Sequence, residues 1–210
     1  MCELKKHKIF DIVKGRSEEE LADYLKTLQE KERVKVVCVD LSSTYRSIVR
    51  KYFPKALIVA DRFHVIRLMQ HQCMKSFKEL SGGIKYNRGL LAALRTRPER
   101  LTESRKNLRD SFFKENPVIE SLYLFQQRMY ELLLREKMAK KQCRKLVREF
   151  LEVIDMMKQG PFRPLQKLSR TFHHWKEEIA RMWRFTKSNG ITEGFHRKMK
   201  LIRPAAKVEF

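Results

Sequence analysis

The chain has 210 residues, enough for one sizeable core or for a small α/β domain carrying a helical insert. Its 47 Lys and Arg against 25 Asp and Glu give a formal charge of +22, a field that draws polyanions; nucleic acid is the expected partner and an acidic membrane surface the rival. No apolar run approaches the length of a bilayer span, the N-terminal MCELKKHK has no apolar signal core, and Cys2, Cys38, Cys73 and Cys143 show no paired spacing, so the expectation is a soluble cytoplasmic protein without zinc ribbon, disulfide framework or membrane partner.

In chain order, residues 8–13 (KIFDIV) alternate enough to be a strand, closed by a turn at Gly15. Ser17 followed by Glu20 is a capping box, and the helix it starts buries Leu21, Tyr24, Leu25 and Leu28. Val34, Val36, Val37, Cys38 and Val39 form a β-branched run, and Leu57, Ile58, Val59 and Ala60 form another after the Phe53-Pro54 breaker. Both have the pattern of strands buried on two faces. Joined by a helix over residues 44–52, they must lie parallel with a right-handed crossover, which brings Asp40 and Asp61 to one edge of one sheet. Open α/β sheets bind ligands at that edge, although a strand-end Asp also serves simply to cap the next helix.

From Phe63 onward every periodic segment is helical. The pattern predicts helices over residues 63–80, 89–94, 102–114, 118–137 (capped by Asn116-Pro117) and 140–158, the last ended by Gly160. Pro161 and Pro164 open a final helical stretch through Trp175 to Trp183. Stripes of Phe, Met and Leu at helical spacing are core, and His173-His174 beside Trp175 is a helix face rather than a metal site. The Lys and Arg runs at 95–105 and 137–148 are each explicable as solvated faces, but an excess of 22 positive charges exceeds what solubility asks. The expected organisation is an α/β core over residues 1–80, a helical insertion over 81–185 and a terminal core helix within 186–210.

Residues 186–190 (TKSNG) form a polar turn before a short basic helix over 191–202. Glu193 stands near its start, where an acid suits the helix dipole, and Lys200 lies two turns on, on the same face. An acid to hold a metal ion beside a cation to hold the DNA backbone suits phosphodiester chemistry. By itself such a pair means little.

Three stretches carry a family resemblance: VCVDLSSTY at 37–45, FPKALIVADRFH at 53–64 and SNGITEGFHRKMKLI at 188–202. Together they resemble the catalytic domain of bacterial insertion-sequence transposases of the DDE type, most closely the ISL branch. The resemblance implies a ribonuclease-H-like sheet with a large all-helical insertion before the last acid. It makes Asp40 the second acid and Glu193 the third, both metal ligands, puts Lys200 at the basic position seven residues after the third acid, and matches Asp61 and His64 to a D-x-x-H pair in a supporting role. In complete relatives it implies three carboxylates holding two Mg2+ ions, with Mn2+ as a substitute, for cleavage and strand transfer. It further implies double-stranded DNA partners (transposon ends and target), a homo-oligomer and a nucleoid-associated location.

The pattern also has gaps. The first strand and its acid have no counterpart, Glu3 and Asp11 are the only acids nearby, the family's zinc-binding and helix-turn-helix segments are not matched, and Pro204 should stop the last helix early. The sequence therefore predicts a transposase catalytic domain truncated at both ends, its sheet incomplete, binding DNA without catalysing its joining. The alternative is a non-catalytic basic DNA-binding protein derived from a transposase, which would have no use for Asp40 and Glu193 meeting at one point.

Overall fold

The computed structural model describes residues 2–3, 8–9 and 13–185. Strands β1 (Cys2–Glu3) and β2 (Lys8–Ile9) pair antiparallel, Cys2 opposite Ile9. Of the strand expected over 8–13, Lys8 and Ile9 are paired as strand and Val13 is not, and residues 10–12 lie outside the described residues. Gly15 then turns with φ +113, in the left-handed region; a Cβ there would sit 2.5 Å from the Glu20 Cβ. The capping box of α1 (Glu18–Thr27) forms as expected: Glu20 N–H donates to Ser17 Oγ at 3.2 Å, while Glu20 Oε2 accepts from the Ser17 and Arg16 amides at 2.9 and 2.8 Å. These amides hold the Glu20 carboxyl below its usual range. Of the four apolar positions, Leu25 is buried, and Leu21, Tyr24 and Leu28 pack half-buried against the core.

Strands β3 (Val36–Val39) and β4 (Leu57–Ala60) flank α2 (Ser43–Tyr52) and pair parallel, Val36 opposite Leu57 and Val39 opposite Ala60. The two strands differ in burial. Ile58, Val59 and Ala60 are buried, whereas in β3 only Val39 is, and Val36 is 36% exposed. The expectation of two faces buried on both strands holds only for β4, because the helix α9 (Lys176–Met182) packs on β4.

Helix α3 (Arg62–Leu80) is the axis of the rest. Val65, Met69, Cys73 and Phe77 recur every four residues and are fully buried, so one face of α3 is sealed along its length. Around it lie α4 (Arg88–Arg95), α5 (Glu103–Glu115), α6 (Pro117–Leu133), α7 (Lys140–Gln159), α8 (Arg163–His174) and α9 (Lys176–Met182); α6 and α8 pack on α3, and α7 on α8. Two boundaries differ from the pattern. Asn116 sits at the N-cap position of α6 but its side chain donates back to Phe112 O at 2.9 Å, and Ile119 N–H is satisfied by the Asn116 carbonyl instead. Helix α6 stops at Leu133 rather than near 137, since Lys137 turns left-handed (φ 51) and Met138 N–H donates to Trp183 O at 3.0 Å.

Trp183 anchors this junction: its Nε1 donates to Leu132 O at 2.9 Å, and its ring meets Phe150 edge-on at 5.7 Å. One continuous hydrophobic core runs from Leu25 through the sheet to Trp183, so sheet and helices share a single interior. The architecture is mostly helical around a small parallel sheet, as an α/β chain with a large helical part requires. The described cysteines Cys38, Cys73 and Cys143 are thiols, and among the described residues no helix is long and apolar enough to cross a membrane.

Candidate functional site

The parallel register decides where the acids go. Asp61 N–H donates to Val39 O at 2.7 Å, continuing the ladder one step past β4, so Asp40 and Asp61 leave the sheet side by side at its C-terminal edge. After Asp40 the chain turns through Ser42 N–H to Asp40 O at 2.7 Å, and Ser42 caps α2. Asp61 does what a strand-end Asp ordinarily does: its Oδ1 accepts from Phe63 N–H at 2.9 Å and caps α3. Capping leaves its second oxygen unexplained. Asp61 is 0% exposed, and Oδ2 has no hydrogen-bond partner.

His64, in the first turn of α3 and three residues past Asp61, points at both acids. Its Nδ1 lies 3.0 Å from Asp40 Oδ1 and 3.4 Å from Asp61 Oδ2, close to each without hydrogen-bond alignment to either. The Phe63 ring stands edge-on to the imidazole, centroids 5.5 Å apart. Burial raises the Asp40 carboxyl above its usual range; His64 opposes this, Asp61 adds to it and Arg16 opposes it. The Cys38 thiol, in β3 two residues before Asp40, is pushed up to about 12 by burial first and by Asp61 and Asp40 next, so without an ion beside it the group is neutral at neutral pH.

Arg62, adjacent in sequence to Asp61, turns away from the cluster. Its guanidinium donates to Arg135 O and Met182 O, each at 2.9 Å, and pairs with Glu136. It thereby fixes the start of α3 against the end of α9 and the connection after α6.

The sequence named Asp40 with Glu193 as one pair and Asp61 with His64 as another. The structure brings Asp40, Asp61 and His64 into one cluster whose ligand atoms all lie within 4.8 Å of one another. Glu193 and Lys200 lie outside the described residues, as does Asp11. That His64 addresses Asp40 was readable in principle from the parallel register, which places the turn after β4 beside the end of β3. The Arg62 anchor and a second group, in which the buried Arg46 of α2 meets the buried Trp175 and Glu178 and the exposed His174, had no sequence signal: their partners lie 73 to 132 residues away.

Two carboxylates and an imidazole, one carboxylate oxygen buried and without a partner, are a donor set that fits a divalent cation. Neither a curated protein nor a solved structure matches the chain. The sequence model of the ISL3-type DDE family, described as "Transposase", matches residues 1–207. The chain, with its strand-end acids side by side and nearly all its length matched, belongs to that family of insertion-sequence transposases.

Proposed function

We propose that the chain carries the second and third acids, Asp40 and Glu193, of the catalytic centre of DNA transposition, phosphodiester cleavage and strand transfer, on a ribonuclease-H-like sheet. The observation that carries this is the placement of Asp40, half-exposed, at the C-terminal edge of a parallel strand pair, where a substrate can reach it. A cation would be welcome at Asp40: burial disfavours its charged form and the Asp61 carboxylate adds to this, so that the carboxyl stays above its usual range even though His64 and Arg16 oppose them. A divalent ion, Mg2+ or Mn2+, supplies Lewis-acid polarisation of the phosphoryl oxygen and a more acidic water when bound.

Each side chain has a separate task. Asp40 and Glu193 hold the site's negative charge, Lys200 binds the DNA backbone, and Asp61 and His64 fix the floor on which Asp40 rests. Arg62 holds α3 so that this floor does not move.

Duplex DNA is the proposed partner, in a homo-oligomer at the nucleoid. The charge of +22 supports it, and so does α7, whose first half carries the exposed cations Lys140, Lys141, Arg144, Lys145 and Arg148 with no acid in its first turn. Cations there oppose the helix dipole, a cost that phosphates alongside would relieve. A DNA-binding protein with no catalytic role would share this charge but leave the buried carboxylate oxygen of Asp61 without purpose.

The test is nicking and joining of DNA bearing the element's ends by the natural protein with Mg2+ or Mn2+. Asp40→Asn and Glu193→Gln should each abolish both steps while duplex binding persists. Strand transfer that survives either change overturns the assignment.

A further inference from the structure

The geometry of the first turn of α3 asks for more than a floor. We propose that Asp40, Asp61 and His64 together ligate one divalent cation, as an oxygen, oxygen and nitrogen set that favours a first-row transition ion such as Mn2+ over Mg2+. This deepens the reading of Asp40 as an active-site acid and rests on it for the role of the ion, but the ligand set itself stands on the cluster alone.

Burial is the first support. A carboxylate oxygen without a partner in a wholly buried side chain is costly, and Asp61 Oδ2 is such an atom, turned toward His64 and Asp40. Of the basic side chains beside it, His64 Nδ1 stands 3.4 Å away without hydrogen-bond alignment, and Arg62 is committed to Glu136, Arg135 O and Met182 O. The cap to Phe63 N–H uses Oδ1 and leaves Oδ2 available.

Spacing is the second. An ion with bonds of about 2.1 Å places two ligands at right angles about 3.0 Å apart. His64 Nδ1 stands 3.0 Å from Asp40 Oδ1 and 3.4 Å from Asp61 Oδ2, and all three ligand atoms lie within 4.8 Å. An imidazole N–H serving only as a counter-charge would align on one oxygen, and Nδ1 aligns on neither. The ring is also braced for a fixed role by the edge-on contact with Phe63.

Ligand type is the third. Mg2+ prefers all-oxygen surroundings and dehydrates reluctantly, whereas imidazole nitrogen suits transition ions such as Zn2+, Fe2+ and Ni2+, and Mn2+, at home among carboxylates, accepts a nitrogen beside them more readily than Mg2+ does. A nitrogen ligand on an ion that Asp40 also holds would tie transition-ion binding to the chemistry at Asp40.

The experiment titrates the metal-stripped protein with Mn2+, followed by the loss of the free-ion paramagnetic resonance signal, and with Co2+, followed by visible absorption. Asp61→Asn and His64→Ala should each weaken Mn2+ binding at least about tenfold, since even a supporting group of a metal site is worth that much. A large excess of Mg2+ should be needed to displace Mn2+. Circular dichroism of each variant separates lost binding from lost folding; His64 is partly exposed, so His64→Ala keeps the test valid if Asp61→Asn does not fold. Undiminished Mn2+ affinity in a folded His64→Ala, or displacement by equimolar Mg2+, overturns the proposal. Binding lost in Asp40→Asn and Glu193→Gln but kept in His64→Ala would refute this ligand set and leave the two-acid reading intact. Binding lost in His64→Ala and unchanged in Glu193→Gln would do the reverse.

Discussion

Arg46 and Glu178 offer the sharpest test of how the strand-end site is supported. Arg46 Nη2 donates to Glu178 Oε2 at 2.9 Å and to His174 O at 3.0 Å, Nη1 meets His174 Nε2 at 3.0 Å, and the guanidinium lies 3.6 Å from the centre of the Trp175 ring. Arg46 is 8% exposed and Glu178 4%, so the pair is buried. Removing one partner of a buried pair costs about 3–5 kcal/mol, because the other charge is left uncompensated. Arg46→Ala also loses the stack on Trp175 and two further contacts, which places it near the top of that range, about 5 kcal/mol. Glu178→Gln keeps its shape and an acceptor, which places it near about 3 kcal/mol. At about 2–4 °C per kcal/mol for a chain of this size, Arg46→Ala should lower Tm by about 10–20 °C. Replacing both by Leu should cost far less than the sum, since a well-packed apolar pair often matches a buried ion pair. Urea unfolding followed by circular dichroism supplies the cycle. Two single variants that each cost under about 1 kcal/mol, with an additive double variant, would refute the reasoning.

Asp40→Asn should stabilise the metal-free protein at neutral pH: the folded state raises the Asp40 carboxyl, so ionising it costs stability as pH rises through the folded value, and the advantage of Asn should vanish below the ordinary aspartate range in Tm measured against pH. Duplex DNA binding should weaken steeply with salt, and each of Lys141→Ala, Arg144→Ala and Lys145→Ala should flatten the logarithmic salt slope by about one if that cation meets a phosphate; unchanged slopes would exclude α7 from the DNA surface. Phe77→Ala should cost about 3–5 kcal/mol in urea unfolding because Phe77 is fully buried on the axis helix, whereas Leu124→Ala, on an exposed position of α6, should cost under about 0.5 kcal/mol.

The elements that proved legible were those whose signals are local. The capping box at Ser17 and Glu20, the β-branched runs of β3 and β4 and the proline and glycine boundaries of α6 and α7 all lie within a few residues of what they specify. Parallel pairing followed from two strands joined by a helix. The half-exposed β3 was misread because apolar content reports the wish for burial, and the neighbour that would satisfy it is a matter of tertiary order. His64 shows the same limit within the site. Its spacing from Asp61 was visible as one helical turn, but its approach to Asp40 depends on the β3–β4 register. Arg46 and Arg62 were unreadable altogether, being two cations among 47 until their distant partners were known.

The reach of Arg62 has a consequence in time. Its acceptors, Arg135 O and Met182 O, follow it by 73 and 120 residues. At about 5–20 residues per second a ribosome needs about 6–24 s to make the later one, whereas β4 is complete before Arg62 itself is added. The strand pair can therefore assemble early, while the helix turn bearing Asp61 and His64 gains its first tether with Arg135 and waits for almost the whole described chain before the tether is complete. Nascent chains stalled short of Met182 should be cut by protease near Arg62, and released full-length chains should not.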